Sequence, residues 1–111
     1  MPYCGLQTNA KVGDKESLAK KLSTVVAQEL GKPEMYVMVS VEEKEMTFGG
    51  STQPCAFVDL RSIGLTSSQT PKLSKAICDL LEEEIGVKPD RTYISFADAK
   101  GYMWGWNGST F

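Results

Sequence analysis

The two halves of this chain run through the same series of landmarks. Each opens on a proline and a short apolar stretch, at Pro2 and at Pro54. Each continues into an amphipathic segment stopped by glycine, at Gly31 and Gly86. Each then passes a Lys-Pro pair, Lys32-Pro33 or Lys88-Pro89, and enters an extended stretch with a tyrosine at or near its start, Tyr36 or Tyr93. Four landmarks in one order and at similar spacing point to a duplicated β-α-β unit. Such a unit joins parallel strands through a right-handed crossover helix. Two units of this size assemble most simply as an α+β fold, a four-stranded mixed sheet with both helices on one face. With 111 residues the chain fits one domain, residues 1–111, with little room for a second.

The local patterns fill in that plan. Residues 3–8 read as a strand. From Lys15 to Leu30, Leu18, Leu22, Val25, Val26 and Leu30 fall on one helical stripe, with Asp14 or Ser17 as the cap and Gly31 as the stop. Residues 36–41 are β-branched and alternating and read as a second strand, followed by a charged turn, Glu42-Glu43-Lys44-Glu45, and a second turn at Phe48-Gly49-Gly50-Ser51. The longest strand pattern covers 55–63. A second helix is expected from about Ser68 to Ile85, with Pro71 in its first turn, where a missing N–H costs little. A strand follows at 92–96. The tail from Gly101 to Phe111 sets Tyr102, Trp104, Trp106 and Phe111 among glycines, as a short strand or hairpin would.

Alternation also predicts what the far face of the sheet carries. If Val37, Val39 and Val41 point at the helices, then Tyr36, Met38 and Ser40 point away, joined by Phe57, Asp59 and Arg61. Such a mixture of aromatic and charged residues suits burial against another subunit, and the aromatic tail suits the same interface. A solvated face with some aromatic exposure is the other reading.

Composition narrows the chemistry. A net charge of −2 and the lack of a basic stripe argue against nucleic acid as a partner. No apolar run approaches a membrane span, and the N-terminus shows neither the basic nor the apolar region of a secretory signal, so a cytoplasmic protein is expected. Cys4, Cys55 and Cys78 are odd in number and widely spaced, which predicts reduced, buried thiols and no zinc site. There is no histidine, which excludes Ser-His-Asp and Cys-His catalysis and removes the commonest metal ligand. No metal or other cofactor is expected. Acid–base chemistry near neutral pH is left to a perturbed carboxylate, Lys, Cys, Tyr or the chain's own amine. That raises Pro2. A methionine before a small residue is commonly removed, and Pro2 would then present a secondary amine, a good base whose pKa falls toward neutrality when it is buried.

Several short runs carry a resemblance. Met1-Pro2, Gly31-Lys32-Pro33, Phe48-Gly49-Gly50-Ser51, Pro54-Cys55-Ala56, Ser62-Ile63-Gly64, Pro89-Asp90-Arg91 with Tyr93-Ile94, and the closing run from Gly105-Trp106-Asn107 to Phe111 span the chain in order. Together they resemble the macrophage migration inhibitory factor family of the tautomerase superfamily. The resemblance implies a homotrimer with active sites between adjacent subunits. It implies keto–enol tautomerisation of small enolisable carbonyl compounds, phenylpyruvate-like and dopachrome-like, with the N-terminal proline as base. It also implies an alternative role: animal members leave the cell without a signal peptide and act as cytokines, so a signalling ligand that binds a receptor is the competing reading.

Residue by residue, the resemblance makes Pro2 the catalytic base. Lys32 becomes a point charge for a substrate carboxylate, and Ser62 and Ile63 become polar and main-chain contacts. Tyr93 becomes a wall supplied by the adjacent subunit, with Ser95 lining the pocket where the family usually has asparagine. Trp106 and Phe111 close the pocket or pack the trimer. Other departures bear on specificity. Cys55-Ala56-Phe57-Val58 lacks the second thiol of the Cys-x-x-Cys pair common in vertebrate members, so thiol redox work is not carried over. Ala97 replaces a tyrosine and widens the mouth, while Tyr3 and Trp104 replace smaller or more flexible apolar residues and partly refill it.

Overall fold

The computed structural model describes residues Met1–Phe111 and builds both halves of the duplicated plan. Strand β1 (Tyr3–Thr8), helix α1 (Lys15–Leu30) and strand β2 (Met38–Glu43) form the first half. Strand β3 (Ala56–Ile63), helix α2 (Thr70–Ile85) and strand β4 (Thr92–Ala99) form the second, and β5 (Gly105–Trp106) with β6 (Ser109–Thr110) makes a small C-terminal hairpin. The main sheet runs β2-β1-β3-β4. Pairing is parallel within each half and antiparallel where β1 meets β3, so the sheet is mixed as expected.

Both helices lie on one face. Leu18, Leu22 and Val26 of α1 and Leu73, Ile77 and Leu81 of α2 join Cys4, Leu6, Val58 and Leu60 of the central strands in a single core. The duplicated helices start and stop by local chemistry. The Asp14 side chain accepts the Ser17 N–H at 3.0 Å and caps α1, so Asp14 rather than Ser17 is the cap. Gly31 and Gly86 adopt φ of 63° and 69°, a left-handed conformation that ends each helix at little steric cost to glycine.

Several boundaries move from the expected ones. The second strand starts at Met38, not residue 36, because Glu34–Tyr36 forms a single 3₁₀ turn. Pro33 is extended, and its carbonyl accepts the Tyr36 N–H at 3.2 Å. That turn removes Tyr36 from the strand and hence from the far sheet face. The same strand continues into the supposed charged turn, because Glu42 and Glu43 pair with Gln7 and Thr8. There the Glu43 carboxylate accepts the Val12 N–H at 2.9 Å and meets Lys15 at 2.7 Å, which holds its pKa below the usual carboxylate range. Helix α2 begins at Thr70 rather than Ser68, and β4 extends beyond Phe96 to Ala99.

The rest of the far face is as predicted. Met38, Ser40, Phe57, Asp59 and Arg61 share it, Tyr3 joins them without having been expected there, and Asp59 and Arg61 pair at 3.0 Å. Tyr3 lies flat across Gly5, where an added Cβ would sit 2.5 Å from the phenol oxygen, and its hydroxyl bonds Ser40 Oγ at 2.8 Å. Gly5 thus makes room for the Tyr3 ring, which a side chain here would displace, rather than serving a turn.

A clamp secures the 46–54 loop between the halves. Arg91 donates to the carbonyls of Phe48, Gln53, Ser51 and Pro54 at 3.0, 2.9, 3.3 and 3.2 Å, with its guanidinium carbon 5.1 Å from the Phe48 ring centre. Only a planar fork with several donors reaches all four acceptors. Arg91→Lys is expected to cost about 1–3 kcal/mol in urea unfolding at fixed protein concentration. Faster amide exchange should be confined to residues 46–54, with the central strands still protected.

Candidate active site

The start of β1 is the point where the elements converge. Tyr3 pairs with Met38 on one side and Arg61 on the other. One residue earlier, the Pro2 carbonyl accepts the Met38 N–H at 3.0 Å. The missing N–H of proline costs nothing at a strand's entry. Pro2 is fully buried, an unusual condition for the second residue of a chain. A cleft of about 260 Å³ opens beside it, walled by Pro2, Met35, Tyr36, Met38, Trp104 and Trp106. The aromatic wall is ordered by its own contacts. Tyr36 meets Trp106 edge-on with ring centres 6.3 Å apart, and Trp106 stacks on Phe111 at 5.7 Å. The Asn107-Gly108 turn, with φ of 52° and 76°, folds the hairpin back to make that stack.

Other depressions are larger but chemically poorer. One of about 480 Å³ over α1 has only polar and charged walls, including Asp14 and Lys20, and lies open to water. Another, of about 750 Å³, lies on the far sheet face between Arg61, Ala97 and Met103, and Tyr3 and Trp104 separate it from the Pro2 cleft. Small-molecule sites are concave and largely apolar with a few placed polar groups, which favours the cleft at Pro2.

Lys32, Ser62 and Ile63 do not line this cleft but meet at the same end of the sheet as Pro2. The turn after α1 directs Lys32 to the end of β3, where Nζ donates to Ser62 Oγ at 2.9 Å and to the Ile63 carbonyl at 2.6 Å. Both acceptors are neutral. Lys15, Lys21 and Lys75 by contrast sit on carboxylates of Glu43, Glu84 and Asp79. The Lys32 charge is therefore held in place without being cancelled. It acts on the chain's N-terminal amine, whose pKa is lowered first by burial and then by the Lys32 charge and hydrogen bond. Cys4 offers no competing base: burial, with a smaller contribution from Asp59, pushes its thiol up to about 12. All three cysteines are free and buried.

The structure brings Pro2, Lys32, Ser62, Ile63, Trp106 and Phe111 to one end of the sheet. It does not bring Tyr93 or Ser95 there within one chain. Ser95 pairs with Asp59, opposite Gly5, and Tyr93 pairs with Phe57, opposite Gln7. Tyr93 thus lies five residues along from Pro2, roughly 17 Å at about 3.3 Å per residue, and two strands over. Its ring packs on Phe48 with centres 4.6 Å apart. Met35 is a cleft residue that sequence reasoning missed. The signal was Pro33, whose fixed φ starts the 3₁₀ turn that swings Met35 and Tyr36 off the strand.

A doubled β-α-β sheet, with a buried second residue and a lysine beside the chain's amine, defines a small class of α+β proteins. Solved structures of that class superpose closely. A macrophage migration inhibitory factor homologue from Prochlorococcus marinus matches with a TM-score of 0.93 and 43% identity, covering 98% of both chains. The factor from Trichinella spiralis matches with a TM-score of 0.92 and 37% identity, covering 98% of this chain and 99% of that one. In sequence, the macrophage migration inhibitory factor of Meriones unguiculatus is 40% identical over 114 residues, covering 100% of this chain and 99% of that protein. The family model for macrophage migration inhibitory factor (MIF) matches residues 1–111, and the chain belongs to that family.

The electrostatics give a direct test. Replacing Lys32 by Met removes a positive charge beside the amine, so the amine's pKa should rise. An NMR titration of the N-terminal residue reads the shift, and an unchanged value would show that burial alone sets it.

Proposed function

We propose that the chain is a keto–enol tautomerase for phenylpyruvate- and dopachrome-like compounds. It works as a homotrimer of one-domain subunits, with Pro2 as general base after Met1 is removed. The observation that carries this reading is the buried Pro2 with the Lys32 ammonium beside the N-terminal amine. With Met1 attached, the Pro2 nitrogen is a tertiary amide and has no basicity. Once Met1 is removed, the amine moves to Pro2, a more deeply buried position. Burial and Lys32 then favour its neutral form, the form able to accept a proton.

The reaction follows from that placement. The Pro2 nitrogen takes a proton from the carbon next to the substrate carbonyl. The C–H electrons form the carbon–carbon double bond, and the carbonyl π electrons move to oxygen. The proton is delivered to that oxygen, giving the enol and restoring the free amine. Lys32 holds the substrate carboxylate, assisted by Ser62 and the main chain of Ile63. Trp106, with Phe111 behind it, flanks the substrate ring and excludes water. Tyr93 and Ser95 complete the pocket from an adjacent subunit, which accords with their distance from Pro2 in their own chain. The proposed location is the cytoplasm, with export from the cell as the alternative. No helix is long and apolar enough to cross a membrane.

Intact mass establishes the Met1 state, and a phenylpyruvate tautomerase assay follows on Pro2-initiated protein. Pro2→Gly should lower kcat/KM by about 10²- to 10⁴-fold, the usual worth of a positioned base. The rate should rise with pH through the pKa of an amine lowered from its ordinary value, and Lys32→Met should move that rise to higher pH. A Pro2-initiated protein without activity would overturn the reading. Receptor binding that persists without the Pro2 amine would favour the signalling role. Sizing that returns a monomer would remove Tyr93 and Ser95 from the site.

A further inference from the structure

The peptide unit between Ile63 and Gly64 is held at both ends. Its carbonyl accepts Lys32 Nζ at 2.6 Å, and its N–H donates to Asp98 Oδ1 at 3.0 Å. The same Asp98 oxygen accepts the next N–H, from Leu65, at 3.1 Å. Both amides lie beyond Ile63↔Ala99, the last pair of the β3–β4 ladder, so no strand partner orients them. Gly64 sits at φ 77°, so the peptide has a glycine on one side and can rotate at low cost. Asp98 itself is aimed by the ladder. It pairs with Ser62, whose Oγ is the other acceptor of the Lys32 ammonium.

A peptide unit is planar and trans, so its N–H and C=O point in opposite directions. Fixing the N–H on one side fixes the carbonyl on the other. We propose that Asp98 is a positioning residue for Lys32, acting through the Ile63–Gly64 peptide. Its carboxylate oxygen holds the N–H, the carbonyl is thereby turned toward Nζ, and the ammonium is seated beside the N-terminal amine. Hydrogen bonds in series polarise one another, so an anionic acceptor at one end strengthens the carbonyl's grip at the other. Asp98 touches neither the amine nor the substrate. Its side chain is exposed at the end of an eight-residue strand, so its removal leaves the core intact. The kinetic part of the proposal rests on the reading of Lys32 as the carboxylate holder. The seating of Lys32 does not.

The test uses full-length protein of known N-terminus and compares Asp98→Ala, Asp98→Asn and Lys32→Met. Asp98→Ala should raise the amine pKa in the direction of Lys32→Met, and the Gly64 and Leu65 amides should lose exchange protection. With phenylpyruvate, KM should rise about three- to tenfold while kcat changes less, the split expected when a binding group is displaced rather than a base removed. Asn keeps the one oxygen that accepts both amides but not its charge, so Asp98→Asn should bring the titration most of the way back to wild type. The double variant Asp98→Ala/Lys32→Met should titrate like Lys32→Met alone. If the alanine variant unfolds, Asp98→Glu carries the test, because it keeps the charge and displaces the oxygen by one methylene. An amine pKa unchanged or lowered in a folded Asp98 variant overturns the proposal, as does additivity in the double variant. Should wild-type protein lack tautomerase activity, the amine titration still decides the role of Asp98, so the two failures remain distinct.

Discussion

Strand β1 is paired along its whole length on both sides, and the cleft depends on that. A chain terminus ordinarily frays at the surface, because few contacts hold it. Here all six residues of β1 have a neighbour in β2 and another in β3. Cys4, Leu6 and Thr8 face the helices and are buried. Even the buried hydroxyl of Thr8 is satisfied, donating to the Cys55 carbonyl at 2.7 Å and accepting the Ala10 N–H at 3.1 Å. The ladder therefore begins inside the protein rather than at its rim. Pro2, at its entry, inherits the burial, and so would an amine placed there.

Burial alone would lower the pKa of such an amine, but it would not direct an anionic substrate to it. In the proposed reaction Lys32 adds that second property, because its charge rests on a hydroxyl and a carbonyl instead of a carboxylate. An ammonium paired with an aspartate would have little attraction left for a ligand. Neutral acceptors keep it fixed and leave its field intact. The two effects reinforce each other, since desolvation strengthens the field that favours the neutral amine.

The fold was largely legible in the sequence because its signals are local and occur twice. Gly31 and Gly86 stop helices at matching places, and the Leu18-Leu22-Val26 and Leu73-Ile77-Leu81 stripes define the faces that meet the sheet. The misreadings have separate causes. At Glu42-Glu43 charge pointed to a turn and pairing with β1 kept them in the strand, whereas at Tyr36 propensity pointed to a strand and the 3₁₀ turn after Pro33 took it out. The site was less legible. Pro2 was singled out by the absence of histidine, but its cleft wall includes Met35, which no periodicity marks. Asp98 looks like any exposed carboxylate until the end of the β3–β4 ladder shows two amides without strand partners. The position of Tyr93 shows a different limit, because a residue that does not reach the cleft in its own chain can serve one only through assembly.

The cleft offers an aromatic wall for a ring of the proposed substrate to pack against. Its aromatic wall is preorganised: Trp106 is held between the edge of Tyr36 and the face of Phe111, so little side-chain entropy is left to lose when a ring packs against it. Tyr3 is likewise fixed by Ser40 and accommodated by Gly5, and it stands with Trp104 between the cleft and the open sheet face. Substituting Trp104 by a small residue would merge the two spaces and remove the boundary that makes the cleft narrow. In the proposed reaction, the apolar walls beside buried Pro2 and the Lys32 ammonium on its neutral acceptors would together receive a planar ring carrying a carboxylate.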